Sequence, residues 1–209
     1  LTYLLIIIFL NSNSYGENNR YFEFDKGIIA LMYHRFDEHK YPSTNIQMDI
    51  FKEQINIIEN HEISFLHPKN LNEEISKPNE EKKILLTIDD GFQSFYDNAW
   101  PILKKKNIPF ILFISTAYVG KNGYMNWEQI KEIKKSGLGI IGNHSHTHKY
   151  LVDETNNQII NDLNQAIALF EKELGYSPSY FSYPFGEYSS DFKKILINLN
   201  FDIAFGQHS

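Results

Sequence analysis

Apolar, β-branched runs recur along this chain with helical patterns between them, and that alternation constrains the fold more than any other feature. The runs cover residues 27–33, 63–66, 83–88, 109–115, 138–142, 180–183 and 202–205. The clearest helical stretch, 155–174, places Ile159, Leu163, Ala166, Ile167, Phe170 and Leu174 on one face and meets a stop signal at Gly175. Further helices are expected over 48–60, 93–106, 127–136 and 190–199. Repeated strand–helix units imply an α/β fold with a parallel sheet. Seven strands suit a barrel or an open doubly wound sheet, and periodicity does not choose between them. In both, sites form where strands end at their carboxyl edge.

Several of these strand ends carry chemistry. The run Ile84-Leu85-Leu86 leads into Thr87-Ile88-Asp89-Asp90-Gly91; a later strand ends at His144-Ser145-His146-Thr147-His148; another reaches Ser182-Tyr183-Pro184-Phe185-Gly186. His34 and Arg35 follow the first strand. One carboxylate with two imidazoles is a common ligand set for catalytic zinc, which keeps a coordination position for water. The spare carboxylate can then take that water's proton. The competing reading of Asp89 and Asp90 is a helix cap and a turn with Gly91. Two adjacent acids after an apolar strand repel each other unless a cation is close, which favours the metal. If 144–148 is a helical turn, His144 and His148 share a face and His146 points away.

In order and wording the three segments resemble the polysaccharide deacetylase family, carbohydrate esterase family four. Its first motif reads Thr-Phe-Asp-Asp-Gly, its second His-Ser/Thr-x-x-His and its third Arg-x-Pro-Tyr-Gly. The first is matched at 87–91 with Ile88 for Phe, and the second at His144, Ser145 and His148. The third is matched in part, because Ser182 stands where Arg is usual. Met32-Tyr33-His34-Arg35-Phe36 resembles the start of deacetylases that act on exported poly-N-acetylglucosamine. The resemblance covers roughly residues 28–206 and implies a distorted (β/α) barrel. It implies that Asp90, His144 and His148 bind Zn²⁺ or another divalent transition metal. Asp89 is then the base, and the backbone N–H of Phe185 lies in an oxyanion hole. The implied reaction removes N-acetyl groups from N-acetylglucosamine-containing polysaccharide. An O-acetyl esterase would need the same site, and an inactive glycan-binding homologue is the reading from another class.

Two departures from the family shape further expectations. Without the usual Arg at 182, Asp89 needs another partner, and Arg35 (or His34) is expected to reach it from the first strand. The family's late motifs carry an Asp near a Trp and a Leu-x-His whose His protonates the leaving amine. After Gly186 this chain offers Asp191, Asp202 and His208 without that context, so a chain that continues beyond Ser209 is expected. Among the aromatic residues, Tyr124 and Trp127 are candidates for a wall against sugar rings.

Composition limits the partners. The 209 residues suit one domain, and a net charge of −6 gives no reason to expect nucleic acid. The absence of cysteine excludes disulfides and thiolate metal sites. Tyr3 to Leu10 is almost wholly apolar, too short to span a bilayer, and followed by an Asn/Ser stretch with Ser14 and Gly16 two apart. Residues 1–16 therefore read as the remnant of a signal peptide lacking its basic start, with a buried strand as the alternative. That reading leaves 17–209 as a catalytic domain at a secreted, periplasmic or cell-surface location. No later segment is apolar enough to span a membrane.

Overall fold

The computed structural model describes residues 5–7, 27–61, 63–76 and 81–206. In chain order the elements are β1 (Leu5–Ile7), β2 (Gly27–Tyr33), β3 (Arg35–Phe36), β4 (Asn45–Ile46), α1 (Met48–Asn60), β5 (Ser64–Phe65), α2 (Leu71–Ile75) and β6 (Lys82–Ile88). They continue with α3 (Trp100–Lys106), β7 (Phe110–Ile114), α4 (Trp127–Ser136), β8 (Gly139–Asn143), α5 (Asn156–Leu174), β9 (Tyr180–Ser182), α6 (Ser190–Asn198) and β10 (Ile203–Phe205). The large sheet runs β1-β2-β6-β7-β8-β9-β10, with β5 beside the early part of β6. All its pairings are parallel except β1 on β2. Among the described residues no pairing joins β10 to β1 or β2. The distorted barrel expected from the sequence is thus a curled, partly open half-barrel.

The period-2 alternation of side chains divides the core between the two faces of this sheet. Leu85, Ile111, Phe113 and Tyr180 cluster with Leu66 and Leu71. Their neighbours Leu86, Ile88, Phe110, Leu112 and Ile114 instead pack with Trp100, Leu103, Ile130 and Ile133 from α3 and α4. A third cluster joins Leu163 of α5 to Phe181 and to Phe192 and Leu196 of α6. Each such side chain removed from water contributes about 1.5–3 kcal/mol. Gly142 is required by this packing, since a Cβ there would lie 2.5 Å from the Phe113 ring.

The helices follow the sequence pattern closely. Capping boxes start α4 (Asn126 with Gln129) and α5 (Thr155 with Gln158), and Gly137 and Gly175 end them in left-handed conformation. The helix expected over 93–106 differs in its first half, where Phe95–Ala99 forms a π turn before α3. Pro101 lacks the N–H that would bond the Asp97 carbonyl, and the wider turn absorbs the loss. Of the apolar N-terminal segment, Leu5–Ile7 pair with β2. The rest of the expected signal segment 1–16, the expected new start at 17, and His208 lie outside the described residues. No described helix is long and apolar enough to cross a membrane.

Candidate metal centre

The site is assembled from sharp exits at the carboxyl ends of β6, β8 and β9. Asp89 prolongs the β2–β6 ladder, its N–H donating to the Tyr33 carbonyl at 2.8 Å. The chain then turns through Asp90 (φ 73°) and Gly91 (φ 76°). A Cβ on Gly91 would meet Ile114 Cγ2 at 3.1 Å in a backbone conformation that already disfavours one. His144 leaves β8 with its N–H donating to the Ile114 carbonyl at 3.0 Å.

Residues 144–148 do not form the helical turn expected from their spacing. Ser145 (φ 68°) and His148 (φ 52°) are both left-handed. The loop is held from within by the His148 N–H donating to Ser145 Oγ at 2.9 Å. From outside, Asp162 of α5 accepts the His146 N–H at 2.6 Å, the Thr147 N–H at 3.1 Å and the Thr147 hydroxyl. His146 faces away, its Nδ1 2.8 Å from Thr116 Oγ1. The two flanking imidazoles converge because the loop is bent, not because four residues span one helical turn.

Asp90, His144 and His148 each present a ligand atom, all within 4.8 Å of one another. Asp90 Oδ1 lies 3.0 Å from His148 Nε2 and 3.5 Å from His144 Nε2. His144 Nδ1 is 2.7 Å from the Ser182 carbonyl oxygen. A carbonyl only accepts, so Nδ1 carries the hydrogen and Nε2 turns its lone pair toward Asp90. Burial pushes His144 down to about 4, so it is neutral at physiological pH. Burial alone would raise Asp90, but the hydrogen bond from His148 and the neighbouring imidazoles hold it down at about 2. Burial opposes the charge on His148, and Asp90 outweighs it and raises the group. Asp89 moves the other way: burial pushes it up to about 6, against the pull of His34 and the Ser182 hydrogen bond.

These residues fit a divalent cation. The donors are one carboxylate and two imidazole nitrogens, a set suited to zinc and its neighbours. Two adjacent acids lie at one strand end, and neither has a Lys or Arg at salt-bridge distance among the described residues. Asp89 Oδ2 accepts from Ser182 Oγ at 2.9 Å, whereas its buried Oδ1 has no partner among the described residues.

The partner expected for Asp89 is corrected by the structure. Arg35 does not reach it. Arg35 Nη1 binds Glu38 at 2.7 Å, and the guanidinium lies 3.4 Å from the Phe92 ring centroid and 4.0 Å from that of Tyr41. Consecutive residues of extended chain face opposite sides, so Arg35 and His34 cannot both face the site. His34 is the one whose charge acts on Asp89 and Asp90. Ser182, whose presence prompted the search for a substitute, itself holds the carboxylate.

Other expected residues divide. Tyr124 stands at the site, within electrostatic reach of Asp90 and with its ring on Phe92. Trp127 packs partly buried against the core instead. Phe185 adopts φ 60°, ψ 7°, and its N–H has no hydrogen-bond partner among the described residues. Sequence reasoning missed Asp162 and Tyr150, whose ring lies 5.7 Å from that of Phe185. Asp162 was hidden among the polar residues of an amphipathic helix, and its burial was the only signal that could have exposed it.

Residues 76–204 match the family model described as polysaccharide deacetylase, and the chain belongs to that family. It is an enzyme of the polysaccharide deacetylase type, with a side-chain cluster able to hold a divalent metal. The structure of IcaB from Ammonifex degensii is similar at a TM-score of 0.79 and 30% identity, covering 87% of this chain and 84% of that one. The deacetylase PplD of Streptococcus pyogenes, in complex with acetate, shares the fold at a TM-score of 0.74 and 24% identity, covering 82% and 80%. Among curated proteins, the poly-β-1,6-N-acetyl-D-glucosamine N-deacetylase of Staphylococcus aureus is 27% identical over 195 residues, 80% of this chain and 67% of the relative.

Proposed function

We propose that this protein hydrolyses the acetamido groups of an N-acetylglucosamine-containing polysaccharide, releasing acetate and leaving free amines, with zinc as its metal. The observation that carries this reading is Asp89 Oδ1, buried and unpartnered beside the Asp90–His144–His148 cluster. A divalent ion would be held by Asp90, His144 and His148, and would supply a Lewis acid for the acetyl carbonyl and acidify water. Asp89 Oδ1 takes the proton of the attacking water while Ser182 keeps Oδ2 in place. The free Phe185 N–H donates to the oxyanion of the tetrahedral intermediate. His34 directly follows β2, beside the end of β6, where its charge acts on Asp89.

The N-acetylated substrate is supported by the S. aureus relative, and an exported polymer agrees with the signal-like segment 1–16. A glycan-binding role without catalysis would leave no use for an unpartnered buried carboxylate. The test is acetate release from N-acetylglucosamine oligosaccharides before chelation, after chelation and after adding Zn²⁺ back. Activity that is lost and then restored supports the reading. Activity unaffected by complete metal removal, or release from O-acetylated sugars alone, contradicts it.

A further inference from the structure

Two of the exposed large apolar side chains on the described surface lie together at the metal centre. Phe185 is 57% exposed and Tyr150 is 42% exposed. Their rings are 5.7 Å apart, and Phe185 also stands edge-on to the His148 ring at 4.9 Å. Isolated exposed apolar groups need no explanation, but a contiguous pair beside a reactive centre does. The backbone sharpens the point. A bulky residue at φ 60° is strained by about 1–3 kcal/mol, and a glycine would present the same N–H without that cost. Gly186, the next residue, shows that glycine is available to this loop. The strain therefore keeps a ring, and not merely an N–H, beside His148.

We propose that Phe185 and Tyr150 form a platform for the apolar C–H face of a pyranose, seating the ring that carries the reacting acetamide. The inference rests on the deacetylase reading and specifies how that substrate is held. Phe185 lies one ring's width from a metal-ligating imidazole, so a sugar flat on it places its acetamido arm toward Asp90, His144 and His148. Tyr150 extends the surface away from the metal, and its hydroxyl end suits a partner that is apolar on its face and polar at its edge. The Phe185 backbone serves the oxyanion, and its side chain serves the sugar.

Calorimetry with an N-acetylglucosamine pentamer on zinc-loaded Asp89→Asn protein, which turns over slowly, reads the platform directly. Phe185→Leu and Tyr150→Leu in that background should each weaken binding about tenfold, near the upper worth of an aromatic contact. Phe185→Trp and Tyr150→Phe, which keep a ring, should bind within about twofold of the parent. In the otherwise unaltered chain the Leu variants should raise KM for the pentamer by a similar factor, with one zinc per chain retained. Equal binding and equal KM in the Leu variants, or loss of their zinc, would overturn the platform while acetate release by the unaltered chain upheld the deacetylase reading. No acetate release from the unaltered chain would overturn both.

Discussion

Ser182 donates its hydroxyl to Asp89 Oδ2 at 2.9 Å, and its carbonyl accepts from His144 Nδ1 at 2.7 Å. One residue therefore orients the proposed base through its side chain and a proposed metal ligand through its backbone. A neutral hydroxyl stabilises the carboxylate less than the guanidinium usual at this place in the family. Asp89 accordingly stays a stronger base, raised by its burial.

This division of labour separates two readouts. Ser182→Ala removes the hydroxyl but keeps the carbonyl. It should lower kcat about tenfold, the worth of one net hydrogen bond, while zinc content stays at one per chain. Steady-state kinetics with metal analysis on the same sample checks it, and loss of zinc would show that the hydroxyl supports the ligand as well.

The histidines should separate as well. His144→Ala and His148→Ala should weaken zinc binding sharply in a competition titration. His146→Ala, whose ring meets Thr116 and not the cluster, should bind zinc much as the unaltered chain does. Equal loss from all three would refute the ligand assignment.

Asp162 holds the strained ligand loop from α5. Asp162→Ala leaves two backbone donors and a hydroxyl without their acceptor, at a cost of about 1–3 kcal/mol. Thermal melts should show that loss, and zinc affinity should fall with it, because Ser145 and His148 then relax from left-handed conformations. Unchanged zinc affinity in a destabilised variant would confine Asp162 to stability.

Asp89 also makes a stability prediction for the metal-free protein. Its carboxyl sits at about 6 when folded against 3.8 otherwise, so between these values the folded state binds more protons than the unfolded one. Asp89 then subtracts from stability as pH rises through that window. Asp89→Asn should stabilise the metal-free chain above pH ~6, by on the order of a few kcal/mol, and make little difference below pH ~4. Melts of both proteins across that range check the sign. A variant that is less stable at pH 7 would contradict it.

The sequence reveals some of this centre and conceals the rest for physical reasons. Strand and helix bounds follow from local periodicity, and β2 and α4 match their expected ranges residue for residue. Asp90 and His144 were legible because each follows a strand whose end is marked by its apolar run, and His148 because it stands four positions after His144. Arg35 misled because its length was weighed and its parity was not: it lies next to His34 in extended chain, so the two face apart. The box that captures it is built by Glu38, Tyr41 and Phe92, and the last belongs to the Asp90–Gly91 turn, a contact no local pattern discloses. The bent loop at 144–148 was hidden because Ser and His, unlike Gly, do not announce a positive φ. Its support from Asp162 is long-range and visible only once α5 is docked.

The central claim is that Asp90 holds the metal and Asp89 moves the proton, and Asp89→Asn tests it most directly. Zinc per chain and acetate release from an N-acetylglucosamine oligosaccharide are measured on one preparation, beside the unaltered protein. Zinc should remain at one per chain while kcat falls on the order of 10²–10⁴-fold, the range for losing a general base. Loss of zinc from Asp89→Asn, or turnover near that of the unaltered protein, would contradict the assignment.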